Sequence, residues 1–341
     1  MALLVVWSHS FALHLGGEER EWVYRLTNGT VTAGTIGVMT FFVISGFLIS
    51  QSWERSKGAA AYFGKRVRRI YPGYMAATAI CAFIVVPLFS TNSHIGLVTA
   101  AKTLAHNLLL QNYFPASDAF ASNPFPGAIN GSLWSIPIEF WCYIMLAVLG
   151  VASLAANGRL LIAATAVMMM VLLGLELAGT VPHGGWAGEL LIWLQIMPSF
   201  LLGMIVYAYR KHLPRTRAIL LSLVAAAMIA CWVNVPLAAL IVAPALAYAT
   251  FYVAFSDCIN LHHVAKNGDF SYGTYLYAFP IQQIVQAELG NSIDLGSFIL
   301  LSLGLSLLAG IASWHLVEKH FMRRRRKLSQ PAVTVPARTR R

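Results

Sequence analysis

Gly37-Val38-Met39-Thr40-Phe41-Phe42-Val43-Ile44-Ser45-Gly46-Phe47-Leu48 lies inside an apolar run, 33–51, that carries no charged side chain. About 20 such residues are what a helix needs to cross a hydrocarbon core. A chain in lipid must satisfy its own backbone hydrogen bonds, so a helix is the natural form of this run. Ser45 and Gly46 set small side chains among aromatics and allow a neighbouring helix to come close. Runs of the same kind recur on both sides. Ten spans are expected: 1–16, 33–51, 73–92, 133–154, 160–180, 187–208, 217–233, 235–255, 271–289 and 294–315. The expected fold class is therefore all-α, a polytopic membrane helix bundle. Strand-like alternation is absent, which argues against a membrane barrel.

Composition agrees with the runs. Of 341 residues, 58% are hydrophobic and 11% charged, against roughly 25% charged in a soluble domain. The net charge of +11 does not read as a nucleic-acid groove, because its placement follows the connections. With a cytoplasmic N-terminus, 21 of the 24 Lys and Arg fall on inside segments, and only Arg20, Arg25 and Lys102 fall outside. The positive-inside rule then places both termini in the cytoplasm. The lipid bilayer is an expected partner and nucleic acid is not. The stretch 1–327 reads as one transmembrane domain, and 328–341 as a basic, disordered cytoplasmic tail near anionic lipid. An amphipathic stretch, 95–110, is expected in the interface, followed by a rigid turn at Asn123-Pro124-Phe125-Pro126-Gly127. Cys81, Cys142, Cys231 and Cys258 have no metal-ligand spacing and are expected as free thiols. The first span, Met1 to Gly16, covers only about 24 Å at ~1.5 Å per residue and reads as a helix short of its cytoplasmic end.

Polar groups within spans are costly and mark candidate sites. His9, in Trp7-Ser8-His9-Ser10, can act as a general base toward a hydroxyl, or as an interhelical hydrogen bond. Glu139 lies about two turns into a span entered from outside, behind Pro137, which is expected to kink that helix. Its carboxylate can orient an imidazole, take a proton, or join two helices. In Lys65-Arg66-Val67-Arg68-Arg69, the three-residue spacing puts Arg66 and Arg69 on one helix face. Two guanidiniums there suit a polyphosphate, though basic residues at that boundary also serve topology. Asp269 or Ser271 is a plausible N-cap for the ninth span. Glu176 is a carboxylate deep in the fifth span with no evident partner. Signatures of serine hydrolases, zinc proteases and P-loop ATPases are missing.

Five stretches together, in order, resemble the membrane-bound acyltransferase 3 family. They are Ala2 to Ser10, Phe41 to Leu48, Arg66-Val67-Arg68-Arg69, Asn130-Gly131-Ser132-Leu133-Trp134 through Glu139, and Ser271-Tyr272-Gly273-Thr274-Tyr275-Leu276. The resemblance implies an enzyme of the bacterial inner membrane. It would move an acyl group, by default acetyl, from acyl-CoA to a hydroxyl of a surface polysaccharide or lipid-linked glycan. It implies a catalytic His9 with Glu139, CoA contacts at Arg66 and Arg69, and substrate contacts at Trp134, Ser135 and Tyr272. Acyl-CoA is then a co-substrate, and no metal or permanently bound cofactor is expected. The chain departs from the family pattern twice. The family's arginine eleven positions before the histidine would precede Met1, and a histidine many members carry before the ninth helix proline is replaced in Ala278-Phe279-Pro280. A rival from another class is a transporter or flippase for a lipid-linked saccharide, whose polar residues would line a path. Against it, no inverted repeat is evident.

Overall fold

The structure is a computed structural model that describes residues 1–91, 96–116, 118–179, 185–233, 235–256, 268–290 and 292–322, except the side chains of 185, 186, 189 and 235. Every regular element among the described residues is helical. The expected tail at 328–341 and Cys258 lie outside the described residues. Cys81, Cys142 and Cys231 are free and buried.

The chain runs as α1 (Ala2–Leu15), a short α2 (Trp22–Leu26), α3 (Ala33–Glu54), α4 (Ala59–Ile80), α5 (Val86–Phe89) and α6 (Leu97–Leu108). It continues through α7 (Ser135–Val151), α8 (Gly158–Leu177), α9 (Gly185–Tyr209), α10 (Arg217–Val233) and α11 (Val235–Ala254). Then follow α12 (Ser271–Leu289), α13 (Leu295–Ser313) and α14 (Lys319–Met322). Among the described residues, six helices are long and apolar enough to cross a membrane: 33–54, 59–89, 158–177, 190–209, 236–254 and 295–322. Three more apolar helices, α1, α7 and α10, are shorter than a full crossing.

The ends of these helices follow local chemistry. Gly16, at φ +80°, closes α1 by donating its N–H to the Ala12 carbonyl. Thr32 opens α3 by accepting the Thr35 N–H on its hydroxyl, and Asn157 and Asp294 do the same work for α8 and α13. The amphipathic stretch expected at 95–110 is α6, and the turn at 123–127 is held by the Gly127 N–H on the Ala119 carbonyl.

Two sequence expectations change in detail. The third span was expected from residue 73, yet α4 begins at Ala59 and passes through Pro72, so the basic run is part of the helix. It continues through a π-helical turn at Cys81–Val85 into α5. Pro87, just beyond that turn, has no N–H to close a normal helical bond, and a widened turn absorbs the mismatch. Pro137 does not kink α7. That helix starts at Ser135, so Pro137 sits in the first turn, where its missing N–H costs nothing.

The bundle is closed by small residues. α3 crosses α9 at Gly46 and Gly203, where a Cβ on Gly46 would lie 2.1 Å from the Phe200 carbonyl oxygen. A Cβ on Gly203 would lie 2.1 Å from the Val43 carbonyl oxygen. Only glycine permits this approach of two backbones. α1 packs on α3, α12 and α13. Its polar seam is satisfied by Gln282, whose amide donates to the Val6 carbonyl at 2.8 Å and the Ser10 hydroxyl at 2.9 Å. The arginines and lysines of the α3–α4 and α9–α10 connections gather at one end, hereafter the basic end. The loop holding Glu18 and Glu21 joins α1 to α2 at the other end, where α3 begins.

Candidate active site

His9 faces a cavity of about 550 Å³ bounded by α1, α3, α8, α9, α11 and α12. Its ring meets Phe279 of α12 edge to face, with centroids 5.7 Å apart at 82°. Its Nδ1 is buried and has no hydrogen-bond partner. Buried polar atoms are normally paired, so an imidazole that lines a cavity with one nitrogen unpaired stands out as a candidate site group. The flanking Ser8 is committed elsewhere. Its hydroxyl donates to Glu21 at 2.8 Å, and the other Glu21 oxygen accepts the Ala33 N–H at 2.5 Å. Glu21 is fully buried and serves to tie the α1–α2 loop to the start of α3.

A second cavity of about 340 Å³ opens toward the basic end. Arg66 and Arg69 both line it, as the three-residue spacing predicts. Arg69 is engaged. It donates to Asp269 at 2.6 Å, approaches the buried Glu318 at 3.6 Å and lies 5.2 Å from the Tyr272 ring centroid. Arg66 forms no ion pair among the described residues; one Nη reaches Ser52 Oγ at 3.4 Å, and its Nε is buried without a partner. Two guanidiniums on one wall, one with no ion pair among the described residues, fit an anionic oxygen-rich ligand.

Glu139 lines this second cavity, not the one that holds His9. It accepts the Ser45 hydroxyl at 3.0 Å and the Tyr143 hydroxyl one turn along its own helix. Glu139 shares its space with the two arginines. Ser135 and Tyr272 also line this cavity, and Trp134 lines the His9 cavity. Asp269 accepts the Ser271 hydroxyl at 2.6 Å at the start of α12, while its other oxygen holds Arg69.

Val5, Val38 and Tyr275 line both cavities. These three side chains, from α1, α3 and α12, are a wall between the two spaces. The Tyr275 hydroxyl shares a 2.7 Å hydrogen bond with Ser135 Oγ, which fixes its orientation from α7. A ligand anchored on the arginines and a second ligand beside His9 would meet at this wall. Sequence reasoning did not find Tyr275 as a shared element, nor Glu318 as a partner of Arg69. It also missed Glu18 and Gln195 in the His9 cavity. Glu176, noted in the sequence for its missing partner, lines that same cavity. Among the described residues, no group of three or more His, Cys, Asp or Glu is arranged to hold a metal ion.

A family model described as an acyltransferase domain matches residues 1–315. An O-acetyl transferase from Shigella phage Sf6 is 31% identical over 337 residues, which cover 95% of this chain and 93% of that protein. The exopolysaccharide production protein ExoZ of Rhizobium meliloti (strain 1021) is 26% identical over 313 residues, 86% of this chain and 92% of ExoZ. Nodulation protein 10 of Rhizobium leguminosarum bv. viciae is 30% identical over 160 residues, 43% of this chain and 41% of that protein. No solved structure matches the chain.

Proposed function

The chain belongs to the acyltransferase 3 family and is a multi-pass membrane acyltransferase, and from that premise we propose an O-acyltransferase that modifies a surface polysaccharide or lipid-linked glycan. The acyl donor in this reading is acyl-CoA, with acetyl as the group moved. An O-acetyl transferase and an exopolysaccharide production protein among the relatives support the acetyl group and the glycan. The proposed setting is the bacterial inner membrane, crossed ten times, with both termini in the cytoplasm. The crowding of basic side chains at one end of the bundle supports that orientation.

The observation that carries the reading is the wall shared by the two cavities, with cations behind it on one side and an unpartnered imidazole on the other. In the proposed reaction, CoA phosphates rest on Arg66 and Arg69 and the thioester reaches toward Val5, Val38 and Tyr275. His9 takes the proton of an acceptor hydroxyl, and that oxygen attacks the thioester carbonyl carbon. The carbon–sulfur bond breaks, the new ester keeps the acyl group, and the CoA thiolate takes the proton back from the imidazolium. The same atoms balance if His9 first carries the acyl group on a ring nitrogen and then yields it to the hydroxyl. Glu139 sits among the donor contacts and acts on the donor side.

Mass spectrometry of surface glycans and lipids from cells with and without the gene tests this reading. A mild-base-labile ester that disappears on deletion and returns on complementation is the expected result. A deletion that blocks movement of a saccharide across the membrane, with no ester lost, would replace the enzyme reading with a transporter.

A further inference from the structure

The His9 cavity differs in charge from its neighbour, which sets Arg66 and Arg69 beside Glu139 and Asp269, whereas the only charged side chains described on the His9 lining are carboxylates. Glu18 stands at its mouth, Glu176 reaches in half-buried from α8, and Gln195 adds an amide from α9. No lysine or arginine is among its described lining residues. Neither Glu18 nor Glu176 has a hydrogen bond or ion pair with another side chain among the described residues, whereas nearby Glu21 is fully engaged. Glu176 is not deep in its span as the sequence suggested: it is the penultimate residue of α8 and faces the cavity from the end of that helix away from the basic end. Ionised carboxylates only accept hydrogen bonds, with about four lone-pair sites each. They suit a ligand rich in O–H donors. Trp134, on the same lining, offers an apolar ring face to the C–H side of such a molecule.

We infer that Glu18 and Glu176 make the His9 cavity selective for an uncharged, hydroxyl-rich acceptor and exclude anionic sugars. This rests on the reading of that cavity as the acceptor side. An acceptor bearing a carboxylate or phosphate would enter a space with two acidic groups and no described cation to offset them, and in a partly dry cavity that repulsion is poorly screened. The same charges keep the polyanionic donor on the Arg66 side of the wall. The two co-substrates are thus sorted by sign as well as by the end from which they enter.

Saturation-transfer NMR on the full chain in detergent tests this, with methyl glucoside as the neutral probe and methyl glucuronoside as the anionic one. CoA binding is titrated separately on the same preparation. The wild-type protein is expected to saturate methyl glucoside and not methyl glucuronoside. In the Glu18→Gln/Glu176→Gln variant, binding of the glucoside should weaken by about tenfold, as expected for lost charge-assisted hydrogen bonds. The same variant should admit the glucuronoside. Equal binding of both glycosides by the wild type, or binding of neither, overturns the inference even where the double variant fails to fold. The two readouts separate the claims. CoA binding without glycoside binding removes this inference and leaves the donor side standing. Glycoside selectivity without CoA binding keeps the inference and removes the donor assignment.

Discussion

The Ser45 hydroxyl donates to the Glu139 carboxylate at 3.0 Å, joining the middle of α3 to the first turns of α7. Both side chains are buried, at 6% and 4% exposure, so the bond is made away from solvent. Tyr143 supplies a second donor to the same oxygen. Removing one donor leaves the carboxylate under-satisfied, which costs about 1–3 kcal/mol. Ser45→Ala should therefore lower the thermal midpoint of the purified protein, and so should Tyr143→Phe. Because both act on one carboxylate, the double variant should depart from the sum of the singles by about 0.5–3 kcal/mol. Strict additivity in the melting data would show that Glu139 is not held as a unit.

The crossing of α3 and α9 makes a sharper stability prediction. A Cβ at either Gly46 or Gly203 would strike a carbonyl oxygen of the other helix at 2.1 Å. Backbone cannot rotate away as a side chain can, so the helices must part. Gly46→Ala and Gly203→Ala should each cost about 1–3 kcal/mol, the range for overpacked cores. Because α3 also carries Val38 and Ser45 into the cavities, each substitution should lower acyl transfer as well. Unchanged melting and unchanged transfer in both variants would contradict the close crossing.

Arg66 and Arg69 should separate by experiment. Arg69 bridges Asp269 and Glu318, so its loss removes a structural link between α4, the start of α12 and the segment after α13. Arg69→Ala should lower both thermal stability and CoA affinity. Arg66 has no ion pair among the described residues, so Arg66→Ala should raise the KM for acetyl-CoA tenfold or more while leaving melting nearly unchanged. Calorimetric titration with CoA and thermal scanning on the same samples give the two readouts. Equal CoA affinity in Arg66→Ala and wild type would remove the phosphate contact.

Glu18, in the loop between α1 and α2, makes a pH prediction. Partial burial, then the Glu21 and Glu19 charges, push its carboxyl above the ordinary carboxylate range. The folded state therefore holds this proton more tightly than the unfolded chain, and the ionised form is penalised at neutral pH. That penalty fades as pH falls through the raised value and is gone below the ordinary one. Glu18→Gln should thus melt higher than wild type at neutral pH, and the gap should close on acidification. A gap that widens as pH falls would reverse the sign of the argument.

What could be read from the sequence was set by the reach of each interaction. The 33–51 run needed only length and apolarity to be read as a spanning helix, and α3 fills it. The start of α4 was not legible, because Pro72 and a basic run both look like a boundary, whereas neighbouring helices carry the chain through the proline. His9 stood out because polar groups in apolar runs are costly, and Arg66 and Arg69 because their three-residue spacing puts them on one helix face. Their division between two cavities did not, since it depends on Val5, Val38 and Tyr275 meeting from three helices far apart in sequence. Glu176 was visible as a carboxylate without a partner, yet what it faces becomes clear only when α8, packed on α9 and α11, closes one side of the His9 cavity. Family resemblance supplied the chemistry, and the matched domain over residues 1–315 bears out the family.

The central claim is that His9, which lines the larger cavity with its Nδ1 unpartnered, is the proton acceptor or acyl carrier of the transfer. The most direct measurement compares wild type and His9→Ala for ester formation from labelled acetyl-CoA in membranes holding the native acceptor, with CoA binding measured on the same proteins. The account predicts a fall in ester formation of about 10²–10⁴-fold, the usual contribution of a general base, with CoA affinity retained. Ester formation at the wild-type rate by His9→Ala would contradict it.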